Sequence, residues 1–562
     1  MDLQETSYEI WQSKYQLKDD SQTPVDQSID DTFKRVATSL SREEENQSYW
    51  ENTFYEALVK GATPAGRILA NAGAEEYKTN VSLINCTVSQ TVKDSIDGIM
   101  ESNKKAAMTL AGGSGIGYEF STLRPSGGFV KGAGAFTSGP LSFMDIFDSM
   151  CFTISSAGGR RGAQMATFYV WHPDVKNFIS AKRENGRLRQ FNLSLLVDDE
   201  LIEAVKNNEQ YALRFPVRQT EIDSGYAEYD ELIERKNPWY NDYADSMGYL
   251  RGENGGLLFK VYELVDAKEL WDTIMASTYD FSEPGIILID RVNNMNNNWF
   301  CERITASNPC GEQMLPPNGS CLLGSINVAK FVKNEFEPDA YFDWDSYKDI
   351  VRVFTRMLDN VVEQNGLPLE EQRDEIMNKR RHGMGILGVG SLFSMLGIQY
   401  GDEDSIALTE ELMKQMAIVG FAEGIKLARE KGAAPILENK ENRKKWVESD
   451  YMKQIWDEHP ELKELAIEYG CRFTHHTSIA PTGTIALSVN NNVSNGIEPT
   501  FANHYFRNVI REGKKTKDQV SVWSYEMLLY KDKFNTEEIP EWFSVADNVT
   551  IDGHVAIQAA AQ

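Results

Sequence analysis

The sequence predicts an α/β protein, built as one large α/β barrel or a doubly wound sheet. Short apolar segments alternate with amphipathic helical patterns over about 480 residues, as in strands joined by crossover helices. At 562 residues the chain exceeds one ordinary core, so a large barrel or several domains is required. Its 41% hydrophobic and 11% aromatic content suffices to bury such a core and argues against disorder.

Residues 1–30 are polar and read as extended or loosely ordered. Beyond them Phe33, Val36 and Leu40, then Trp50, Phe54 and Leu58, recur at three- and four-residue steps, which is helical. Residues 82–88 are a strand. Residues 94–111 are a helix, with Asp94 or Ser95 as its N-cap. Residues 112–120 turn into a strand, and the glycine-rich 124–139 is loop. Residues 144–155 are helical, 192–197 a strand, and Asp198 caps the helix that follows. The polar, Tyr-rich 220–256 reads as a surface excursion. Residues 341–364 and 403–431 are long amphipathic helices, the second ended by Gly432. This divides the chain into a mainly helical 1–80 and an α/β remainder, 81–562.

With 57 Lys+Arg against 84 Asp+Glu, the net charge is −27. A general binder of nucleic acid or anionic membrane is excluded, because phosphate contacts come mostly from Lys and Arg. A small local anion site is not. No apolar run reaches the roughly 18 residues of a membrane span, and the acidic N-terminus has no signal-peptide core. Six cysteines with no CxxC pair are not a disulfide scaffold. The expectation is a soluble cytoplasmic protein with reduced thiols, no membrane or nucleic-acid partner and no metal centre.

Asn308-Pro309-Cys310-Gly311-Glu312 is the densest constellation. Pro and Gly bend the chain on both sides of the cysteine, and an extended loop would aim Asn308, Cys310 and Glu312 the same way. An ordinary turn with an incidental cysteine is the competing reading. Cys86 and Cys321, each taken alone, read more often as core cysteines than as catalytic ones; Cys151, Cys301 and Cys471 read as structural. Residues 480–486 turn a strand end into a helix whose exposed N–H groups suit an anion such as phosphate. Gly383-x-Gly385-x-x-Gly388, with Asp402 beyond it, matches a dinucleotide fingerprint. The charged, helical 373–382 stands where the strand should precede it, so these glycines read as permitting close helix packing. His475-His476 has no further ligands at metal spacing and reads as structural.

Together these pieces resemble the catalytic chain of ribonucleotide reductases, through nine motifs in order: ATPAGRILANAG (62–73), NCTV (85–88), DSIDGI (94–99), GGSGIG (112–117), GGRRGA (158–163), NPCGE (308–312), SCLLGSIN (320–327), RRHGMGILG (380–388) and PTGTI through NGIEP (481–499). The spellings NPCGE and PTGT are most similar to the adenosylcobalamin-dependent class II. The alternative is the large catalytic subunit of a class I reductase, which takes its radical from a separate subunit.

The resemblance implies a ten-stranded α/β barrel with a central finger loop, preceded by a small helical N-terminal region. It implies reduction of ribonucleoside diphosphates, with Cys310 as thiyl radical, Glu312 as general base and Asn308 holding substrate hydroxyls. Cys86 and Cys321 become the pair that is oxidised to a disulfide. Thr63, Asn85, Gly115 and the turn Pro481, Thr482, Gly483, Thr484 and Ile485 become substrate contacts, with Gly115 admitting the substrate to the backbone. Asp94, Ser95, Ile96 and Arg124 align with a deoxynucleoside triphosphate effector site between the protomers of a homodimer, and 132–139 and 184–192 with two specificity loops. A thioredoxin-type reductant restores the pair. No ATP-cone is visible at the N-terminus. The sequence stops where the resemblance leads to expect further barrel and a cysteine-bearing tail, so a companion chain supplying the C-terminal part, or a truncation, is expected.

Overall fold

The computed structural model describes residues 3–78, 82–130, 135–157, 162–183, 186–509 and 518–562, without the side chains of residues 155–157, Cys321 and Val509. The expectation of a loosely ordered N-terminus is corrected at once. Glu5–Lys14 is a helix (α1) because Trp11 inserts completely into the core and donates its indole N–H to Thr32 Oγ1 at 3.1 Å. One aromatic side chain carries enough buried area to order a polar segment. Ile29–Ser41 (α2) and Gln47–Lys60 (α3) follow the predicted periodicity, and a Ser28–Asp31 capping box starts α2.

The core sheet has eight strands. Those that build the site are Ala62–Pro64 (β1), Cys86–Val88 (β2), Gly115–Glu119 (β3), Gln164–Tyr169 (β4), Phe191–Val197 (β5) and Gly285–Leu288 (β6), with Ser320–Asn327 and His382–Leu387 further along the chain. From β2 through β3, β4 and β5 to β6 every pairing is parallel. Strands β3 to β5 are almost continuously buried, as parallel strands covered on both faces must be. The strand expected over 82–88 is confined to β2, because Leu83 instead pairs its N–H with Asn365 O.

Between β6 and the strand at 320 lies a short hairpin, Ala306–Ser307 (β7) and Met314–Leu315 (β8), whose tip is the NPCGE sequence. Ser320–Asn327 (β9) is the hub of the sheet. One of its edges runs antiparallel to β1, with Thr63 opposite Ser325, and to β2, with Cys86 opposite Cys321. The other runs parallel to His382–Leu387 (β10). The backbone at His475, His476 and Ser478 continues the ladder beyond β10. Among the described residues no pairing closes this array into a ten-stranded ring.

Three further expectations change. Gly383 and Gly385 lie inside β10, so they serve strand packing and not helix packing. Leu323 Cδ2 would sit 2.7 Å from a Cβ at 383, and Ser478 O closer still to one at 385. The 124–139 loop holds the small hairpin Phe129–Val130 with Ala135–Phe136; residues 131–134 lie outside the described residues. The 220–256 excursion is partly core. Trp239, Tyr243 and Tyr249 are buried, and Leu232–Arg235 joins Gln210–Pro216 and Leu257–Asp266 in a three-stranded antiparallel sheet.

Helices cover the array. Ile96–Ala111 (α4) packs on Pro140–Ala157 (α5), and Trp344–Glu363 (α6) packs on Glu403–Lys431 (α7). Buried Arg356 of α6 reaches Glu44, between α2 and α3, at 2.6 Å, and Lys431 of α7 reaches the same carboxylate at 2.8 Å. The helical N-terminal region is thereby tied to the helices that cover the sheet by charge-assisted bonds shielded from water.

The hairpin tip lies directly on the sheet. A Cβ on Gly117 of β3 would fall far inside contact distance of Ser307 O, and one on Gly115 would meet Pro309 Cγ at 2.8 Å. Thr167 of β4 donates its hydroxyl to Thr305 O at 3.0 Å. Gly117→Ala is expected to lower unfolding stability by about 1–3 kcal/mol, because the obstacle is backbone that cannot swing away. Chemical denaturation compares it with Gly112→Ala, where φ is −69° and a Cβ meets only ordinary contacts at 3.5 Å or more.

Candidate active site

The tip is a tight turn, bent on both sides of the cysteine as Pro309 and Gly311 imply, and not extended. Asn308 N donates to Gln313 O at 3.1 Å, Gly311 N to Asn308 O at 3.0 Å, and Gln313 N to Asn308 Oδ1 at 2.9 Å. Gly311 has φ +82°, the left-handed region that glycine occupies without strain. Pro309 is pinned beneath, and Cys310 is the exposed residue at the apex. The turn brings Asn308 and Glu312 together instead of lining them along one strand face. Asn308 is fully buried, and its Nδ2 has no regular hydrogen-bond partner among the described residues. The same holds for both carboxylate oxygens of Glu312. Burial pushes the Glu312 carboxyl above its ordinary range, while the neighbouring Asn308 amide and a backbone N–H hold it back. Buried polar atoms left open at a loop tip are what a polar ligand can satisfy.

Around the tip the register is informative. Cys321, Cys86 and Gly115 stand side by side on β9, β2 and β3. Directly opposed residues of an antiparallel pair have Cα atoms about 4.5–5.5 Å apart, within disulfide span. Pro309 packs on the third member of that row. The open face of Gly115 therefore admits the hairpin tip. Asn85, next to Cys86, has a buried Oδ1 with no partner among the described residues. Buried Thr63 on β1 accepts from Asn490 Nδ2 at 3.1 Å, and the same amide donates to Ile485 O at 3.1 Å. Asn490 thus joins two expected substrate elements, and nothing in its polar, asparagine-rich sequence surroundings singled it out. Gly483–Leu487 (α8) is a single turn beginning after Thr482, whose φ is +51°. Pro481, Gly483 and Thr484 are exposed, so the unpaired N–H groups of that turn face open space.

Of the expected effector residues, Asp94 receives Arg124 Nε at 2.8 Å, Ser95 caps α4 by accepting from Gly98 N at 3.1 Å, and Ile96 is exposed. Arg218, which sequence reasoning missed, also binds Asp94, at 2.7 Å. Residues 132–134, 158–161 and 184–185 of the expected loops and motifs lie outside the described residues.

The family description "ribonucleotide reductase, barrel domain" matches residues 84–562, and "ribonucleotide reductase, all-alpha domain" matches residues 1–77. The chain belongs to the ribonucleotide reductase family. It is 29% identical over 507 residues to a vitamin B12-dependent ribonucleoside-diphosphate reductase of Mycobacterium tuberculosis, covering 89% of this chain and 62% of that one. A protein of the same description from Thermoplasma acidophilum is 28% identical over 554 residues, 95% of this chain and 62% of the relative. The ribonucleoside-diphosphate reductase subunit alpha of Chlamydia pneumoniae is 24% identical over 531 residues, 88% of this chain and 48% of the relative. This reductase-family chain thus spans less than two thirds of the length of these relatives.

Glu312 has a consequence for stability. A carboxyl whose folded pKa is raised costs stability wherever it is ionised, and the cost vanishes at low pH, where both states are protonated. Glu312→Gln is expected to stabilise the chain at neutral pH, because the amide occupies the same place without a charge to desolvate. Thermal denaturation should show this gain shrinking as the pH falls below the folded pKa of Glu312.

Proposed function

We propose that the chain reduces ribonucleoside diphosphates to 2′-deoxyribonucleoside diphosphates. The observation that carries this reading is the row Cys321–Cys86–Gly115 with Pro309 seated on its end. Pro309, which precedes the apex cysteine, thus lies against a row that holds two opposed cysteines, and this supports joining the three in one reaction. On this reading Cys310, as a thiyl radical, takes the hydrogen from C3′, breaking C–H and forming S–H. Glu312 accepts the proton of the 3′-hydroxyl, a task suited to a carboxyl whose pKa is raised toward neutrality. Asn308 holds the substrate hydroxyls with its open amide. The 2′-hydroxyl leaves as water, taking one proton. Cys86 and Cys321 together give up two electrons and two protons and become joined by a disulfide; one proton is the one that leaves in water, and the other, with the two electrons, makes the new C2′–H bond. Glu312 gives its proton back to the 3′-oxygen, and Cys310 returns its hydrogen to C3′ and is again a thiyl radical. Asn85, Thr63 and the turn at 481–485 would hold the nucleotide, with the diphosphate on the N–H groups of α8. A thioredoxin-type reductant would reopen the disulfide.

The relatives named as vitamin B12-dependent support adenosylcobalamin as cofactor. The exposed position of Cys310 fits, since a radical must reach the thiol from outside the turn. Bound adenosylcobalamin would supply the carbon-centred radical that the thiol quenches. The matches to chlamydial alpha subunits favour a second reading, in which a separate subunit supplies the radical. We read the sheet and its 475–478 continuation as part of a ten-stranded barrel around the finger. Exposed Ile96, Met100 and Met108 on α4, and Ile146 and Phe152 on α5, support a homodimer formed through this helix pair. A deoxynucleoside triphosphate effector would bind beside Asp94, Ser95, Ile96 and Arg124. No helix of the described residues is long and apolar enough to cross a membrane, and nucleotide substrates suit the cytoplasm.

The test is turnover of a ribonucleoside diphosphate with dithiothreitol, with and without adenosylcobalamin. Deoxynucleotide is expected only with the cofactor. Cys310→Ser should make none while binding nucleotide as before, because an O–H bond is too strong to give a useful radical. Product from that variant would contradict the finger assignment, and cofactor-independent turnover that requires an added protein would favour the second reading.

A further inference from the structure

We infer that Asn192 is the positioning residue of the finger tip. Its Nδ2 donates to Pro309 O at 2.7 Å, across 117 residues of sequence. That carbonyl belongs to the peptide group that leads into Cys310, so the bond sets the plane from which the apex cysteine departs. Strand β5 is otherwise buried from end to end, and Asn192 is its one exposed residue. A lone polar side chain turned out of such a strand contributes little to the core, and here it is turned onto the tip. Pro309 is thereby held between two restraints, Gly115 packing below and the Asn192 amide at its carbonyl.

Asn192 is itself held firmly. Just upstream, Gln190 N donates to Asp148 Oδ1 at 2.8 Å, and Arg187 makes a two-pronged contact with Asp145, both distances 3.1 Å. Both acids lie on α5. Gln190 O accepts from Gln164 N at 3.1 Å, which locks the segment to β4. A shift of α5 is therefore transmitted through three residues of backbone to Asn192, and through one hydrogen bond to the radical-bearing tip. This rests in part on the proposed reaction, because it assigns Cys310 its role.

The experiment measures alkylation of Cys310 by iodoacetamide, mapped by mass spectrometry on the full chain, with exposed Cys301 as internal reference. Asn192→Asp keeps the shape but has no N–H to donate, and Asn192→Ala removes both. Both variants are expected to change the Cys310 rate relative to Cys301 by about fivefold, what the loss of one ordinary hydrogen bond allows. In turnover, kcat should fall by about tenfold or more while nucleotide affinity holds, since a misplaced reacting atom costs rate before binding. A Cys310 rate in Asn192→Asp equal to that of the unaltered chain overturns the inference. Altered alkylation in a chain that reduces no nucleotide at all would uphold the positioning role and count against the proposed reaction alone.

Discussion

The finger rests on the sheet at a place where β3 has no side chains. Gly115 and Gly117 leave a bare strip of backbone, and Pro309 and Ser307 O occupy the space two Cβ atoms would fill. Van der Waals repulsion rises so steeply that this contact leaves no intermediate arrangement; either the strip is bare or the hairpin lifts away. Everything proposed for the site follows from it. Cys310 is exposed because Pro309 is pinned beneath it. Cys86 lies near the apex because it is paired with Gly115. Asn308 is buried, and the carboxylate oxygens of half-buried Glu312 are shielded, because the turn is pressed down.

The same pressing-down sets the electrostatics. A carboxyl at an exposed loop tip would keep its ordinary pKa and its water. Glu312 is pushed above its ordinary range by desolvation, with its carboxylate oxygens out of regular hydrogen-bond reach of the described residues. The buried Arg356–Glu44–Lys431 cluster is the contrasting case, with charges that find partners and act as joints between the helical region and helices α6 and α7.

Much of this was legible in the sequence, and what was not has identifiable causes. Helices α2, α3 and α4 announce themselves by periodicity and by caps at Ser28 and Ser95. The bends around Cys310 follow from Pro309 and Gly311. Helix α1 was hidden because its main anchor is a single tryptophan in a polar segment. Strand β10 was hidden because its glycines read as permitting close helix packing, whereas in the strand Gly383 admits Leu323 and Gly385 admits Ser478 O. The meeting of Cys86 with Cys321 depends on the register of two strands more than 200 residues apart, which no local pattern carries and only the family resemblance anticipated. Arg218 and Asn490 act through long-range hydrogen bonds, and their neighbours in sequence say nothing of them.

The central claim is a division of labour, with one cysteine for hydrogen abstraction and two for reduction. Tritium release from a 3′-labelled ribonucleoside diphosphate measures the first alone. In Cys86→Ser and in Cys321→Ser, release to solvent should persist while deoxynucleotide formation stops, because abstraction needs only Cys310. Loss of tritium release in both variants, with the nucleotide still bound, would contradict the account.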